Sequence, residues 1–363
     1  MSRPRFLPGW LYDSSAVAER ERRQYANRCW HPLAARKAIN PGAALAVELL
    51  GKSILITHPA GQTHPQAFIN RCPHRGVALL DASDTATACK RLICPYHGWT
   101  YDLDGTLLAA ARESQFMEGF KRDDWPLHQL PCRAFGPWIW VAIAPNPVPL
   151  EQQLDLVLEE AADLFHAPRQ LLARHSSPLA CNWKVAHDNT LDDYHVAIAH
   201  PTTLHREQGP VRDYRHATSR HGNLLATPLK QGGTFYTFGL CPWSHLLLWP
   251  DQRMALINFL PGPPAKPTHC VMDVWLMGPP ECADHAQAWL DEMLLFLDED
   301  RRLVESAQKG YSSGLIPGPP HQLEQRILQW QELYGVWMGL DHWPDQPSIT
   351  TEGPDEASGP CGY

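Results

Sequence analysis

Residues Arg71–Trp99 read RCPHRGVALLDASDTATACKRLICPYHGW, and this stretch decides how the rest of the chain is understood. It carries Cys72-Pro73-His74, a spacer, then Cys94-Pro95-Tyr96-His97. Two Cys/His pairs on two loops can hold metal, and thiolate plus imidazole suits either a structural zinc or a two-iron cluster. Zinc fingers usually set Cys with Cys on one side and His with His on the other. Here each loop supplies one of each, an alternation that suits two irons side by side, because each loop would reach across both. Gly76 and Gly98 are read as giving the backbone room near the cluster, and Pro73 and Pro95 as stiffening the loops.

The pattern C-P-H-R-G followed by C-P-Y-H-G-W-T-Y resembles the cluster signature of Rieske non-haem iron oxygenases. That resemblance implies Cys72 and Cys94 on one iron and His74 and His97 on the other, with His97 at the exposed edge where the electron leaves.

Working outward, the chain has 363 residues, room for about two domains. A net charge of -8 argues against a nucleic-acid partner. Of the ten cysteines only Cys72 and Cys94 sit in a ligand pattern. Scattered cysteines without a secretion signal point to a cytoplasmic protein with reduced thiols. No apolar run approaches membrane-spanning length, so no membrane partner is expected. Pro (34) and Trp (14) are abundant, which suits a loop-rich β protein with aromatic-lined pockets.

Local patterns fill in the order of elements. Ser14–Cys29 predicts an amphipathic helix with a Ser N-cap. Ala44–His58 predicts a hairpin turning at Gly51-Lys52, and Trp99–Leu107 a second one turning at Asp104-Gly105. Ala67–Asn70, Leu92–Ile93 and Pro137–Pro145 predict strands. The Rieske domain is placed at 28–146 and the catalytic domain at 147–343, with helix 12–28 packing on the latter. Leu150–His166 predicts a helix. Strands are predicted at Gly233–Leu240, His245–Trp249, Met254–Leu260 and His269–Met277, then helices at Ala283–Gly310 and Leu323–Gly339. Residues 344–363 are expected to form a mobile tail. No glycine-rich nucleotide loop is present, so electrons are expected from another protein.

A second constellation lies in NWKVAHDNTLDDYHVAIAHP, residues 182–201. Two histidines and one carboxylate on one face of a metal are the ligand set of non-haem Fe(II) oxygenases. His195, His200 and Asp192 are candidates by type. Asp192 and His195 are three apart and are expected to share a helix face. His195 and His200 are five apart, so both reach one metal only if the helix widens or ends between them. Pro201 suits an end there.

The pattern N-W-K-x4-N-x2-D-x-Y-H-x4-H also resembles the iron-site signature of the same family. The resemblance implies His195 and His200 as ligands of a mononuclear Fe(II). Asp192 matches the carboxylate that bridges an iron-ligand histidine to the cluster histidine of a neighbouring subunit. Asn189 and Tyr194 would line or brace the site; Asn182, Trp183 and Lys184 read as structural. The segment Asp298-Glu299-Asp300 resembles the family's third-ligand element, with Asp300 chosen and Asp298 and Glu299 as alternatives. His58, His64, His187, His205, His216 and His221 are read as surface or core.

The fold implied is α+β: an N-terminal all-β Rieske [2Fe-2S] domain and a C-terminal helix-grip catalytic domain with an antiparallel sheet. The activity implied is that of a terminal oxygenase, a mono- or dioxygenase using O2 and electrons from a separate NAD(P)H reductase, with a ferredoxin as an optional carrier. The substrate would be a small, aromatic organic molecule that is hydroxylated, dihydroxylated or demethylated. Choline- or betaine-like quaternary ammonium oxidation is the alternative, and a Rieske electron carrier or a zinc-stapled binding protein are the rivals. A homotrimer is expected, with or without a second kind of subunit. Pocket residues are expected around Phe235–Trp249 and Leu256–Phe259, where Phe235, Tyr236, Phe238, Trp243 and Trp249 are the aromatic candidates.

Overall fold

A computed structural model describes residues 5–205 and 209–340. The expected tail at 344–363 lies outside the described residues.

Short strands with Gly/Pro turns build the N-terminal half. Thr87–Ala88, Ala43–Leu49, Lys52–His58, Gln66–Ile69 and Gln129–Leu130 form one antiparallel sheet in that order. Leu92–Ile93, Thr100–Tyr101 and Leu107–Ala109 form a small sheet that holds the second Cys/His loop. Trp30–Ala35, Trp138–Ala142 and Cys132–Phe135 form a third. The first hairpin turns one residue earlier than expected: Leu49 pairs with Lys52, so Leu50-Gly51 is the turn. Both have positive φ, 53° and 72°, which matches the right-handed twist of the flanking strands. The Arg22 guanidinium donates to the Leu50 carbonyl and holds this turn.

The C-terminal half is built on a seven-stranded antiparallel sheet. Its order is Gln170–Leu179, Cys270–Gly278, Met254–Pro261, Ser244–Leu248, Thr234–Leu240, Gly222–Pro228 and Arg215–Thr218. Four of these were predicted within a residue or so. Three were not: Gln170–Leu179, Arg215–Thr218 and Gly222–Pro228. The first is largely polar on both faces (ARHSSP), and its strand character comes from pairing with Cys270–Gly278 along its whole length. One face of the sheet packs on the N-terminal segment and the helices Trp183–Thr190, Ala286–Ser312 and Gln325–Met338. The opposite face packs on Trp30, Trp138 and Trp140 and on the Leu150–His166 segment. Phe235, Phe238 and Trp243 are spent in these two cores.

Two predicted helices are interrupted, each by an inward polar side chain. After Ser15–Arg20, capped by Ser14 Oγ accepting from Val17 N at 3.3 Å, the helix widens into a π turn at Glu21–Tyr25. That widening lets Glu21 point into the core, where its carboxylate accepts from Lys184 Nζ (2.6 Å), Trp183 Nε1 (2.9 Å) and Tyr334 OH (2.7 Å). The Leu150–His166 segment breaks at Leu154 into Leu150–Gln153 and Asp155–His166. Buried Gln153 donates to the Trp30 and Cys241 carbonyls, both at 2.9 Å.

Candidate metal centres

The two Cys/His loops have the same closed shape. Gly76 N donates to Cys72 O (2.8 Å) and Cys72 N to Val77 O (2.8 Å); Gly98 N donates to Cys94 O (3.0 Å) and Cys94 N to Trp99 O (2.8 Å). Gly76 and Gly98 turn these loops at φ 75° and 68°. No protein atom lies within 4 Å of the position a Gly76 Cβ would take. The positive φ is by itself a reason for glycine at both turns.

The thiols face inward and the imidazoles outward. Cys72 and Cys94 are 2% and 3% exposed. They lie within hydrogen-bonding reach of each other, and burial pushes the Cys72 thiol up against the opposing contact of Tyr101 OH at 3.5 Å. The His74 and His97 rings are 4.6 Å apart. Trp99 stacks flat on His74 at 4.9 Å and so fixes that ring. His74 Nδ1 is buried without a hydrogen-bond partner, an atom left free for a ligand bond. Two unpaired buried thiols beside two imidazoles fit a group taking two thiolates and two ring nitrogens.

The second group forms where two segments distant in sequence meet. Helix Trp183–Thr190 ends before Asp192, so Asp192 and His195 do not share a helix face as expected. Asp192 instead caps a turn: its Oδ1 accepts from Tyr194 N (2.8 Å) and His195 N (3.3 Å). His195 and His200 then flank the single-turn helix Val196–Ala199. That break brings their Nε2 atoms to 3.2 Å. Asp300, from the long helix Ala286–Ser312, sets its Oδ1 2.9 Å from His200 Nε2 and 3.3 Å from His195 Nε2. Ligand atoms of all three lie within 4.8 Å of one another, a set that can hold one metal ion.

The other ring nitrogens are held as well. His195 Nδ1 donates to the Asp192 backbone carbonyl at 2.6 Å, and His200 Nδ1 to Glu299 at 2.7 Å. Such outer contacts set the orientation and basicity of ligand histidines. Burial works to lower the His195 pKa, but hydrogen bonds and charge from Asp192 and Asp300 push it up to about 10. Asp300 is held below the usual carboxylate range, burial being outweighed by the two histidines. Asp298 is solvent-exposed and pairs with Arg301.

Asn189 lines a cavity of about 40 Å³ beside His195 and Asp300. Tyr194 points away from this centre: the residue is 48% exposed and its ring stacks on His321 at 4.0 Å. Thr237 and His245, inside the stretch expected to supply pocket residues but not singled out there, reach the same small cavity from the sheet. His245 is 5% exposed with Nδ1 unpartnered, and burial, then Arg326 and His187, hold it well below the ordinary histidine range. Buried Asp193 takes Arg326 at 3.2 Å and His216 at 2.9 Å. A larger cavity of about 790 Å³ adjoins, and Leu204 and Phe296 belong to the walls of both. Trp249 is the expected aromatic that lines it.

Comparison with known proteins assigns both halves of the chain to families. The Rieske [2Fe-2S] domain family matches residues 29–123. The ring hydroxylating alpha subunit catalytic domain family matches residues 169–340. Fold and sites thus define a Rieske non-haem iron oxygenase, an oxidoreductase carrying a Rieske cluster and a mononuclear iron. The chain belongs to the family of Rieske oxygenase alpha subunits. It is 32% identical to the glycine betaine monooxygenase oxygenase subunit of Pseudomonas aeruginosa, over 77% of this chain and 76% of that protein. It is 29% identical to the carnitine monooxygenase oxygenase subunit of Escherichia coli (strain K12), over 85% of this chain and 84% of that protein. A solved quaternary ammonium Rieske monooxygenase superposes with TM-score 0.81 at 25% identity, covering 92% of this chain and 95% of that one. Such oxygenases take O2, a small substrate and electrons from a separate reductase. Among the described residues, no helix is long and apolar enough to cross a membrane.

Proposed function

We propose that this chain is the terminal oxygenase component that oxidises a small quaternary ammonium compound, and that named residues divide the work. Cys72 and Cys94 hold one iron of the cluster, and His74 and His97 the other. His195, His200 and Asp300 hold the mononuclear iron. The carrying observation is the convergence of these three side chains on one point from segments a hundred residues apart, with both spare histidine nitrogens tied. When bound, the cluster supplies single electrons and the iron supplies the reaction with O2.

The protein's own part is to fix donors, exclude water and carry the electron. Asp192 binds His195 through its backbone, and its carboxylate remains 3.6 Å from the same ring. It is the bridge to the cluster histidine of a neighbouring subunit, and the assembly is a homotrimer in the cytoplasm. A head-to-tail contact of this kind closes into a ring when the rotation fits. Asn189 and the unpartnered His245 bound the space where the reacting end of the substrate sits. The walls of Leu204 and Phe296 shield that space from the outer cavity.

The substrate reading rests on similarity to carnitine and glycine betaine oxygenase subunits. Aromatic ring hydroxylation is the second reading, supported by the fold shared with naphthalene 1,2-dioxygenase (TM-score 0.72, 17% identity). The test is turnover with a surrogate reductase on both substrate classes, with product measured by mass because uncoupled turnover also consumes NADH. Formaldehyde or hydroxylated product from a quaternary ammonium compound is expected. Dihydrodiol from an aromatic alone would overturn the substrate reading.

A further inference from the structure

The 790 Å³ cavity has an unusual feature at the end formed by the turn between Ser244–Leu248 and Met254–Pro261. Arg253 stands there beside two buried indoles, its guanidinium carbon 5.4 Å from the Trp249 ring centroid and 5.2 Å from that of Trp289. The two rings meet edge to face, 5.7 Å apart. Arg253 Nε donates to Asp251 at 2.8 Å, and the Arg253 backbone N–H donates to the same carboxylate at 3.1 Å. No protein group among the described residues takes the Nη atoms. The side chain is 31% exposed and belongs to the cavity wall, so its forked end is open to the cavity.

We infer that Arg253 is an anion subsite, and that the cavity takes a small molecule bearing a carboxylate or sulfonate at a distance from the carbon that is oxidised. The inference rests on the oxygenase reading of the adjoining metal centre. A guanidinium offers paired, planar N–H donors that match a carboxylate or sulfonate, and a point charge does not reproduce that match. Cation–π contact with Trp249 and Trp289 reduces the freedom that such a side chain would otherwise lose on binding. The same contact decides against the opposite charge. Electron-rich indole faces would attract a quaternary ammonium group, but here they already hold the protein's own cation, so a substrate cation must lie elsewhere. Other charges in the wall roughly cancel: Arg212 pairs with Asp213 at 3.8 Å in solvent, and Lys230 faces a wall that also holds Glu292. The anion end at Arg253 leaves the other end of the molecule toward Leu204 and Phe296, the residues shared with the cavity at His195 and Asp300.

The test is ligand binding to holoenzyme by calorimetry and thermal shift, using two matched pairs: L-carnitine against choline, and benzoate against benzyl alcohol. At least one anionic member should bind and its uncharged-end counterpart should bind at least about tenfold more weakly. Arg253→Gln should lose that preference, and Arg253→Lys should keep part of it, with the red-brown spectrum and iron content of both variants unchanged. Equal binding within each pair, no binding by any of the four, or a preference that survives in Arg253→Gln would overturn the subsite. Failure of the oxygenase reading is seen separately, as absence of the cluster spectrum and of mononuclear iron in the wild type.

Discussion

His200 is gripped from both sides by consecutive residues of one helix: Glu299 Oε2 lies 2.7 Å from its Nδ1, and Asp300 Oδ1 lies 2.9 Å from its Nε2. Two neighbouring acids therefore have different tasks. Asp300 faces the point where His195 and His200 converge, whereas Glu299 also accepts from Thr203 Oγ1 at 2.9 Å and lies behind the ring. Loss of an outer contact of this kind typically costs about 10–100-fold in metal affinity. Glu299→Gln should lower iron affinity by that order, Asp300→Ala should abolish it, and Asp298→Asn should leave it unchanged, all with an intact cluster spectrum. Iron titration of metal-stripped protein separates the three; equal loss in Asp298→Asn and Glu299→Gln would refute the division.

Asp192→Asn keeps the oxygen that caps Tyr194 N and His195 N while removing the charge. Both metals should stay bound and the cluster should still be reducible. In single turnover the reduced cluster should persist after O2 and substrate are added, with product formation collapsed. Reoxidation at the wild-type rate with normal product would reduce Asp192 to a turn cap.

Asp188 is a buried carboxyl whose surroundings favour its protonated form. Burial pushes Asp188 up from 3.8 to about 7, against the hydrogen bonds from Tyr12 and Gln331 and the charge of Lys184, while Asp192 adds to the rise. Between those values the unfolded chain has lost the proton and the folded one retains it. Stability from this group is thus full below about pH 4 and falls by about 1.4 kcal/mol per unit until the folded group ionises near pH 7. Asp188→Asn cannot titrate, so urea midpoints should show the wild type losing stability relative to the variant across that window. Parallel profiles would mean that Asp188 is ionised throughout.

The Lys184–Glu21 pair (0% and 2% exposed) joins the N-terminal segment to the helix Trp183–Thr190. Lys184→Met leaves the Glu21 carboxylate buried without its cation and should cost about 3–5 kcal/mol. Adding Glu21→Gln should restore part of this, because the amide oxygen can still accept from Trp183 Nε1 while the amide N–H donates to Tyr334 OH. Chemical denaturation of the single and double variants tests it, and equal stability of the two would show that no uncompensated charge is involved.

What the sequence determined by itself was local chemistry. Cys72, His74, Cys94 and His97 lie in two short loops whose glycines fix a left-handed turn, so donor type and spacing are written within a few residues. The same holds for the strands Thr234–Leu240 and Met254–Pro261, which are short, largely apolar runs that the structure buries almost throughout. His195 and His200 were legible as a pair, although the turn that Asp192 caps, rather than a continuous helix, is what lets them meet.

Tertiary structure alone decided the rest. Asp298, Glu299 and Asp300 are three adjacent acids, and only the angle at which their helix crosses the sheet turns Asp300 to both histidines, Glu299 behind one of them and Asp298 to solvent. His245 and Arg253 carry no motif, since one lies in an apolar strand and the other beside a turn. Their significance comes from what packs around them, an unpartnered buried nitrogen in one case and two indoles in the other. Tyr194 shows the converse, because its place in a motif did not aim its ring. Side-chain direction over long sequence separation is set by packing of whole elements, and a linear pattern of residue types does not encode it.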